Sequence, residues 1–488
     1  MGVLDEDLPP EAKRLPTSRL ARTARVGGLV TGQGVRWAGM RAANRVRTPE
    51  RAAAAEQDRT AALLNELVDQ LGRMRGAAMK VGQMISMVDL DGLDAEQQDE
   101  LQRKLATLRD GVPPVPFSRL EKLLRQELGA PLATVFADFD ERAFAAASIG
   151  QVHRATTIDG DQVVVKVQYP GVAEAVDTDL RNAMLLVPLV KRLAPGLDAR
   201  AMAAEMRERI AEELDYELEA QNQRRIQRLM RDHPFISVPR VYTELSTRRV
   251  LVSEYIDGEG FETVRRADEA QRDRYGEIVF RFFFGLLYRD AIALGDPHPG
   301  NYLLRPDGSV GFLDFGLLRD VDPTHVAAEA AIASAVRDRD AAGLKAALIA
   351  GGYLPRDRAD VVEAELALRL MRHATKWYAV PGERRFSAGR EPRDRGRPAS
   401  DQPDPARRDD LEAGSEERAA VKTQVNQFTV PPASILIRRM HVMVAVVLQN
   451  LRAGADWGAI AAEYLHRAPP ATALGQAEAD FFARRALA

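Results

Sequence analysis

Four side chains stand in an order that suits phosphoryl transfer. Lys166 lies within the apolar run VVVKV, Asp296 and Asn301 are five residues apart in DPHPGN, and Asp314 begins the tripeptide DFG. Phosphoryl transfer needs a lysine on the nucleotide phosphates, oxygen ligands for Mg²⁺ and an aspartate that orients the acceptor hydroxyl. A lysine within an apolar strand also needs a partner or an open side, because burying a lone charge is costly. This order predicts a nucleotide site.

Each motif by itself has an ordinary structural interpretation. Lys166 fits an outward-facing strand lysine, DPHPGN fits a proline-rich turn, and DFG is too short to be specific. The combination is more specific, because the motifs follow one another as in a kinase catalytic core, with a predicted hairpin between the last two. We therefore favour the functional interpretation of the set.

A strand is predicted within 250–258, where VLVSEYIDG leads into a glycine-containing turn. It would join two lobes and offer backbone groups to adenine. The groups concerned are those of Glu254, Tyr255 and Ile256. An ordinary strand end is the alternative, since this assignment depends on chain order alone.

Composition excludes several classes of protein. The 488 residues are 45% hydrophobic and 28% charged, with a net charge of −3, which is typical of a globular protein and offers no basic field for nucleic acid. There is no cysteine, so disulfides, zinc-thiolate sites, iron–sulfur clusters and cysteine nucleophiles are excluded. No signal peptide and no uncharged apolar run of about 20 residues is evident. We expect a cytoplasmic protein.

Periodicity and charge divide the chain into segments. Residues 12–49 hold nine Lys or Arg and no acid, which favours either contact with an anionic membrane or a basic linker. Residues 381–420 have almost no large apolar side chains and cannot offset the entropy of ordering. The predicted domains are a basic segment over 1–56, a helical extension over 57–130, a small sheet lobe over 131–256, a helical lobe over 257–380, a disordered insertion over 381–430 and C-terminal helices over 431–488.

Two predicted strands, around SVPRVYTEL and RRVLVSEYI, lie within 237–256, after helices over 172–231. A helix is predicted over Phe117–Leu128, a small antiparallel sheet over 133–168, and a hairpin within NYLLRPDGSVGFLDFG, where apolar runs flank Asp307–Gly308. A further apolar helix over 435–451 fits either the core or a partner surface, and we favour the core.

Further motifs make the likeness to one family specific. They are KVGQ at 80–83, AAASIGQVHRA at 145–155 and EELDYELEA at 212–220, together with DPHPGN. Over roughly 60–375 and 430–460 the chain resembles the UbiB/AarF/ADCK family of atypical kinases. The resemblance implies an α+β, protein-kinase-like bilobal fold with a small β-sheet N-lobe, a helical C-lobe and an N-terminal helical extension over the cleft.

The resemblance also assigns roles by position. Lys166 becomes the strand lysine and Glu219 its helix partner, and both serve catalysis with Asp296, the catalytic-loop aspartate. Asn301 and Asp314 become the ligands of Mg²⁺. The implied cofactors are ATP and Mg²⁺. The family's frequent histidine before the loop is missing, but DFG is intact, so we expect an active enzyme.

The helical extension contributes Lys80 and Gln83, and the resemblance pairs Lys80 with an acidic motif formed by Glu213 and Asp215. A lysine in a partly closed cleft needs carboxylates. Residues two apart on a helix point about 200° away from each other, so both carboxylates need not face Lys80. Solvated surface positions are the alternative for these side chains.

Alanine replaces glycine where a kinase places its phosphate loop. The ATP-binding residues implied here are Ala145, Ala146, Ala147 and Ser148. Alanine has less backbone freedom than glycine, so this loop should be stiffer and close less readily over the γ-phosphate. The stiff loop and the helical lid argue against an ordinary protein kinase.

The favoured function is a Mg²⁺-dependent atypical kinase or ATPase in isoprenoid quinone or lipid metabolism at the inner face of a membrane, with peripheral contact through 12–49. Its partners would be ATP and a lipid or quinone-related small molecule, with no nucleic acid. One alternative is an ATP-binding scaffold with negligible turnover. Another is a small-molecule phosphotransferase of the antibiotic-kinase type, against which KVGQ and the alanine-rich loop argue.

Overall fold

The structure, a computed structural model, describes residues 115–146, 149–184, 211–295, 297–387 and 423–486, together with residues 44, 47, 48 and 51. The chain divides into two compact units. The first consists of Met1–Arg225 and Arg240–Tyr255, and the second of Ile226–Pro239 and Ile256–Ala488. The division at Tyr255 lies one residue before the predicted end of the small lobe. Lys80, Gln83 and the part of the expected helical extension before residue 115 lie outside the described residues, as does nearly all of the basic segment.

The first unit contains a small antiparallel sheet and a few helices. Its described elements are α1 (Phe117–Leu128), α2 (Leu132–Val135), β1 (Phe136–Phe139), β2 (Ala145–Ala146), β3 (Gly150–Thr157), β4 (Gln162–Gln168), α3 (Val172–Met184), most of α4 (Tyr216–Leu229) and β6 (Val250–Glu254). The α+β prediction is thereby confirmed, as are the predicted helix over Phe117–Leu128 and the small sheet.

The sheet has the order β1–β3–β4–β6, and β2 pairs with the free part of β3. Alternation along β4 decides its two faces. Val163, Val165 and Val167 are buried in one cluster with the apolar side of α1. Lys166 lies on the opposite face, paired with Val152 on β3. Period-2 alternation therefore places the lysine away from the apolar core.

One predicted strand differs from the structure. The segment SVPRVYTEL meets β6 only at an isolated antiparallel bridge, between Val241 and Ser253, and does not form a continuous strand there. Its start, β5 (Ile236–Ser237), pairs in parallel with a strand of the second unit, and Thr243–Leu245 forms a 3₁₀ helix. Pro239 explains the interruption, because proline has no N–H to continue a ladder.

The second unit is mainly helical. Its described elements are β5, α5 (Phe261–Arg266), α6 (Glu269–Tyr288), β7 (Ile292–Leu294), β8 (Tyr302–Leu304), β9 (Val310–Phe312), β10 (Leu318–Asp320), α7 (Pro323–Asp338), α8 (Ala341–Ala350), α9 (Ala364–Ala379), β11 (Arg384–Arg385), α10 (Pro432–Leu451), β12 (Gly454–Ala455), α11 (Trp457–His466) and α12 (Ala473–Ala486). Helix α6 is buried along its last three turns, which hold four phenylalanines. The predicted hairpin is confirmed as β8 and β9.

The predicted disordered insertion is wrong at its start. Residues 381–387 are folded: β11 pairs with β12, and the Arg385 guanidinium lies 2.7 Å from Asp273 and 2.8 Å from Glu269. The backbone oxygen of Arg384 accepts a hydrogen bond from the Trp457 indole. Composition alone missed these partners because they lie far along the chain. Residues 388–422 lie outside the described residues.

Helix α10 packs in the core on one side. Leu436, Met440, Val444 and Leu448 are buried, whereas Val442 is 60% exposed. Within the part of the chain that the structure describes, Ser434–Leu451 is the one stretch long and apolar enough to cross a membrane, and half of it is buried. A core helix of a soluble protein meets the same criterion.

Candidate functional site

Lys166 and Glu219 form an ion pair within the first unit. The lysine Nζ lies 2.7 Å from Oε1 and 2.8 Å from Oε2 of the carboxylate. Strand β4 carries the lysine between β3 and β6, and helix α4 carries the glutamate one turn from its start. The Glu219 side chain is 6% exposed and that of Lys166 is 20% exposed. The predicted partners therefore meet, and the lysine side chain as a whole remains partly exposed.

Tyr216 is a contact that the sequence analysis missed. Its ring lies 4.8 Å from the Lys166 Nζ, in cation–π geometry. Burial raises the pKa of the Tyr216 hydroxyl, so it stays protonated. The available signal was spacing, because Tyr216 and Glu219 are three residues apart and so share one face of a helix.

Gly150 allows the backbone to approach this pair closely. A Cβ at this position would lie 2.3 Å from the Val167 carbonyl oxygen and 2.9 Å from the Tyr216 hydroxyl. The glycine of the motif ASIG is therefore required by packing, at the point where β3 leaves the alanine-rich loop.

Asp215 has a local structural role. Its Oδ1 accepts hydrogen bonds from the backbone N–H groups of Glu217 and Leu218, at 3.1 and 3.2 Å, as a residue at a helix N-terminus does. Its Oδ2 lies 3.6 Å from Arg248. Glu213 lies in the helical turn just before. Because Lys80 lies outside the described residues, its pairing with this acidic motif stays a prediction.

The alanine-rich loop begins as a strand. Ala145 pairs with Val152 and Ala146 with Gln151, and Ala145 is buried. Ala147 and Ser148 lie outside the described residues. Thus two of the four residues expected to contact ATP are bound into the sheet through β3.

At the strand end expected to meet adenine, two backbone N–H groups already donate hydrogen bonds within the protein. The Glu254 N–H donates to the Arg240 carbonyl at 2.8 Å, and the Tyr255 N–H donates to the Gln162 carbonyl at 2.9 Å. Ile256 begins the next stretch of the second unit and is buried. Any backbone contact with a base would therefore use other groups than the N–H groups of Glu254 and Tyr255.

Asn301 and Asp314 lie together in the second unit. They stand just outside the ends of hairpin strands β8 and β9, in which Tyr302 pairs with Phe312. The Leu313 N–H donates to the Asn301 carbonyl at 3.0 Å, and the Asp314 Oδ1 accepts from the Gly316 N–H at 3.0 Å. Both residues line one small cavity. The hairpin thus brings together the two expected metal ligands.

Asp296 itself lies outside the described residues, but its neighbours are placed. The Gly295 N–H donates to the Leu317 carbonyl at 2.9 Å, next to the pairing of β7 with β10. A Cβ on Gly295 would lie 2.2 Å from a methyl group of Leu436, so a larger residue does not fit without movement. Packing against α10 accounts for the glycine in front of DPHPGN.

The donors at the hairpin end suit a hard cation. An amide oxygen and a carboxylate oxygen are among the ligands that Mg²⁺ accepts. Among the described ranges, no cluster of three or more His, Cys, Asp or Glu side chains offers a metal site of its own. An ion held here would therefore depend on Asn301, Asp314 and phosphate oxygens, as in kinase sites.

The sheet unit with its Lys–Glu pair and the helical unit with its Asn–Asp pair define the protein-kinase-like class. A sequence model of the family described as ABC1 atypical kinase-like domain matches residues 107–348. The chain belongs to this UbiB/AarF/ADCK family of atypical kinases.

Individual relatives agree with this assignment. The chain is 30% identical to "Atypical kinase COQ8B, mitochondrial" of Danio rerio over 63% of this chain and 49% of that protein. It is 30% identical to "Atypical kinase COQ8, mitochondrial" of Saccharomyces cerevisiae over 63% of this chain and 61% of that protein. The chain therefore spans about half to three fifths of these relatives.

A solved structure is similar over most of the chain. It is the complex of Rv3197 with erythromycin from Mycobacterium tuberculosis, with 29% identity and a TM-score of 0.58. The match covers 86% of this chain and 98% of that one.

Proposed function

We propose that this atypical kinase binds ATP with Mg²⁺ and either hydrolyses it or transfers its γ-phosphoryl group to a lipid or quinone-related acceptor. The observation that carries the proposal is the Lys166–Glu219 ion pair, in which the lysine side chain is 20% exposed. A phosphate can approach such a cation without first breaking the pair.

Each site residue has a separate role in this proposal. Lys166 binds phosphate oxygens, and Glu219 holds the ammonium in place. Asn301 and Asp314 hold Mg²⁺, which neutralises phosphate charge when it is bound. Asp296 orients the attacking water or hydroxyl and accepts its proton. Ala145 and Ala146 cover the nucleotide as part of a stiff loop.

The acceptor and the location are inferred from the names of the relatives and from the basic segment. The two curated relatives are named as mitochondrial kinases. The basic segment 12–49 suits peripheral contact with an anionic membrane, where a lipid or isoprenoid acceptor would lie. We infer a chain that stays on the cytoplasmic side and meets the membrane at its surface.

The test is Mg²⁺-dependent ATP hydrolysis by the purified protein, with and without anionic liposomes. Asp314→Asn should lower turnover about 100-fold, the order found when one charge-stabilising group is removed. Asp307→Asn is the matched control, because Asp307 is an exposed aspartate in the turn of the same hairpin. It should stay within about twofold of the parent.

Two results would change the proposal. Nucleotide binding with no turnover in the parent protein would support an ATP-binding scaffold. Equal turnover in Asp314→Asn and the parent would remove Asp314 from the metal site.

If turnover rises with liposomes, replacing Arg19, Arg22 and Arg25 with glutamine should abolish the rise, since these arginines would supply the membrane attraction.

A second candidate function is ATP-dependent modification of a macrolide. The similar Mycobacterium tuberculosis structure contains erythromycin. The test is to incubate the protein with erythromycin and MgATP and to examine the drug by mass spectrometry for an added phosphoryl group. A phosphorylated product would move this candidate to first place, and unchanged drug at full ATP turnover would exclude it as substrate.

A further inference from the structure

Three side chains of the first unit form a stack around one arginine. The guanidinium carbon of Arg154 lies 4.1 Å from the ring centroid of Phe144 and 4.8 Å from that of Tyr255. Its Nη2 also donates to the Tyr255 hydroxyl at 3.1 Å. The two rings are 6.1 Å apart and meet edge to face. Arg154 therefore stacks on both rings and also donates a hydrogen bond to the Tyr255 hydroxyl.

The stack lies on the same face of the sheet as Lys166. Arg154 pairs with Val164, and Val152 pairs with Lys166, one step further along the two strands. Directly paired residues of antiparallel strands point to the same side, as do residues two apart. Arg154 and Lys166 are thus the two cations that β3 and β4 present on this face.

The two aromatic rings belong to different segments of the proposed nucleotide site. Phe144 comes directly before Ala145 and Ala146, and its N–H donates to the Val152 carbonyl at 2.7 Å. Tyr255 directly follows β6, at the strand end expected near the base. Arg154 is therefore a side-chain link between the start of the alanine-rich loop and that strand end.

Such a link matters for a loop built from alanines. Ala145 and Ala146 have less backbone freedom than glycines would have, so their position depends on how Phe144, the residue before them, is held. Two cation–π contacts and a hydrogen bond at Phe144 and Tyr255 hold that residue at a defined distance from the strand end.

We propose that Arg154 is a positioning residue for nucleotide binding, which holds Ala145 and Ala146 in their binding-competent position through Phe144 and Tyr255. The inference rests on the proposed ATP site. It concerns affinity only: a loop that is less often in position lowers apparent affinity, while the reaction of bound ATP is unchanged.

The experiment compares KM and kcat for ATP hydrolysis, together with the Kd of a fluorescent ATP analogue. Arg154→Leu should raise KM and Kd about tenfold, since it removes two cation–π contacts and one hydrogen bond. The kcat should change by less than about twofold. Arg125→Leu is the matched control, because Arg125 is an exposed arginine on α1, which packs on the opposite face.

Further variants separate positioning from direct contact. Phe144→Leu should also raise KM, and the double variant with Arg154→Leu should be no worse than either single one, because both remove the same link. Tyr255→Phe keeps the ring and should cost less than Arg154→Leu. An effect of Arg154→Leu without any effect of Phe144→Leu would mean direct contact with the nucleotide and would overturn the positioning role.

The outcomes also distinguish a failure of the role of Arg154 from a failure of the proposed ATP binding. If the parent protein binds no nucleotide, both fail together. If the parent binds ATP and Arg154→Leu binds it equally well, only the role of Arg154 is overturned. A loss of kcat at unchanged KM would likewise contradict it.

Discussion

Arg281 on α6 and Lys166 on β4 are both held by carboxylates, yet the two clusters differ in what they leave open. Arg281 is fully buried and bonds to Glu277 at 2.7 Å and Glu463 at 2.8 Å, with Glu478 at 3.2 Å. Lys166 is paired with Glu219 and remains 20% exposed. The closed cluster can only hold structure, whereas the partly open one can still meet an anion.

The Arg281 cluster joins three distant helices. Glu463 lies on α11 and Glu478 on α12, and Thr472 also accepts a hydrogen bond from the guanidinium at 2.9 Å. Burial by itself would lower the pKa of Arg281, but the hydrogen bond with Glu463 and the surrounding negative charge raise it. The arginine is therefore permanently charged, and its partners are required.

The largest effect is expected from breaking the closed cluster. Arg281→Met leaves buried carboxylates without their cation and should lower the free energy of unfolding by about 3–5 kcal/mol. Urea unfolding followed by circular dichroism measures it. Arg274→Met, on an exposed position of the same helix, should cost less than about 0.5 kcal/mol. Similar stability of the two variants would contradict the structural role.

Breaking the Lys166–Glu219 ion pair should mainly affect ATP turnover. Glu219→Gln keeps the size of the side chain but holds the ammonium less firmly, so ATP turnover should fall about 100-fold. Because the Lys166 side chain is 20% exposed, the free energy of unfolding should fall by about 1–3 kcal/mol, less than for Arg281→Met. Glu217→Gln, exposed on the same helix, is the control and should leave both quantities unchanged. A large loss of stability with full ATP turnover in Glu219→Gln would show that this pair serves structure rather than turnover.

Acid should weaken the second unit through a histidine beside the closed cluster. Burial, with the positive charges of Arg289 and Arg281, lowers the pKa of His233 to about 3. The folded state keeps this histidine neutral, whereas the unfolded chain binds a proton below about pH 6.5. Its contribution is therefore complete above pH 6.5 and is lost as the pH falls, by about 2 kcal/mol at pH 5.

His233→Gln measures this contribution. Between pH 7 and pH 5, the variant should lose about 2 kcal/mol less unfolding free energy than the parent. Equal losses in parent and variant would show that His233 is not the group that titrates. The buried His153 and His441, whose pKa values are also lowered by burial, should account for the acid sensitivity that remains.

The smallest effects concern the aspartates that begin the two helices. Asp215 caps α4, which carries Glu219, and Asp268 caps α6, which carries Arg281, by accepting from Gln271 at 2.8 Å. Replacing either with alanine should cost about 1 kcal/mol in thermal or urea unfolding, and asparagine less than about 0.5 kcal/mol. Alanine variants as stable as the parent would contradict the capping role.

Asp215→Asn also sharpens the functional question. Asparagine keeps the cap but removes the charge. Turnover that falls in Asp215→Asn, at unchanged stability, would support the predicted pairing with Lys80. Unchanged turnover would leave Asp215 with its structural role alone.

Much of the fold could be predicted from local pattern. The β-branched run QVVVKVQ predicted β4, helical spacing predicted α1, and the Asp307–Gly308 turn predicted the hairpin that places Asn301 beside Asp314. The segment at 237–245 could not be predicted in the same way. Pro239 divides this short run: Ile236–Ser237, before it, pair with β9, whereas Val241, after it, forms a single bridge with Ser253 of β6.

The sequence by itself determined most of the elements, the order of the motifs and the family, because periodicity and residue type act over a few neighbouring positions. The tertiary structure alone decided that Asp215 caps a helix, that Arg154 stacks between Phe144 and Tyr255, and that Arg281 collects Glu463 and Glu478. These contacts join residues up to 197 positions apart. Which charges meet at such separations depends on how the helices and strands pack, and local pattern carries no record of it.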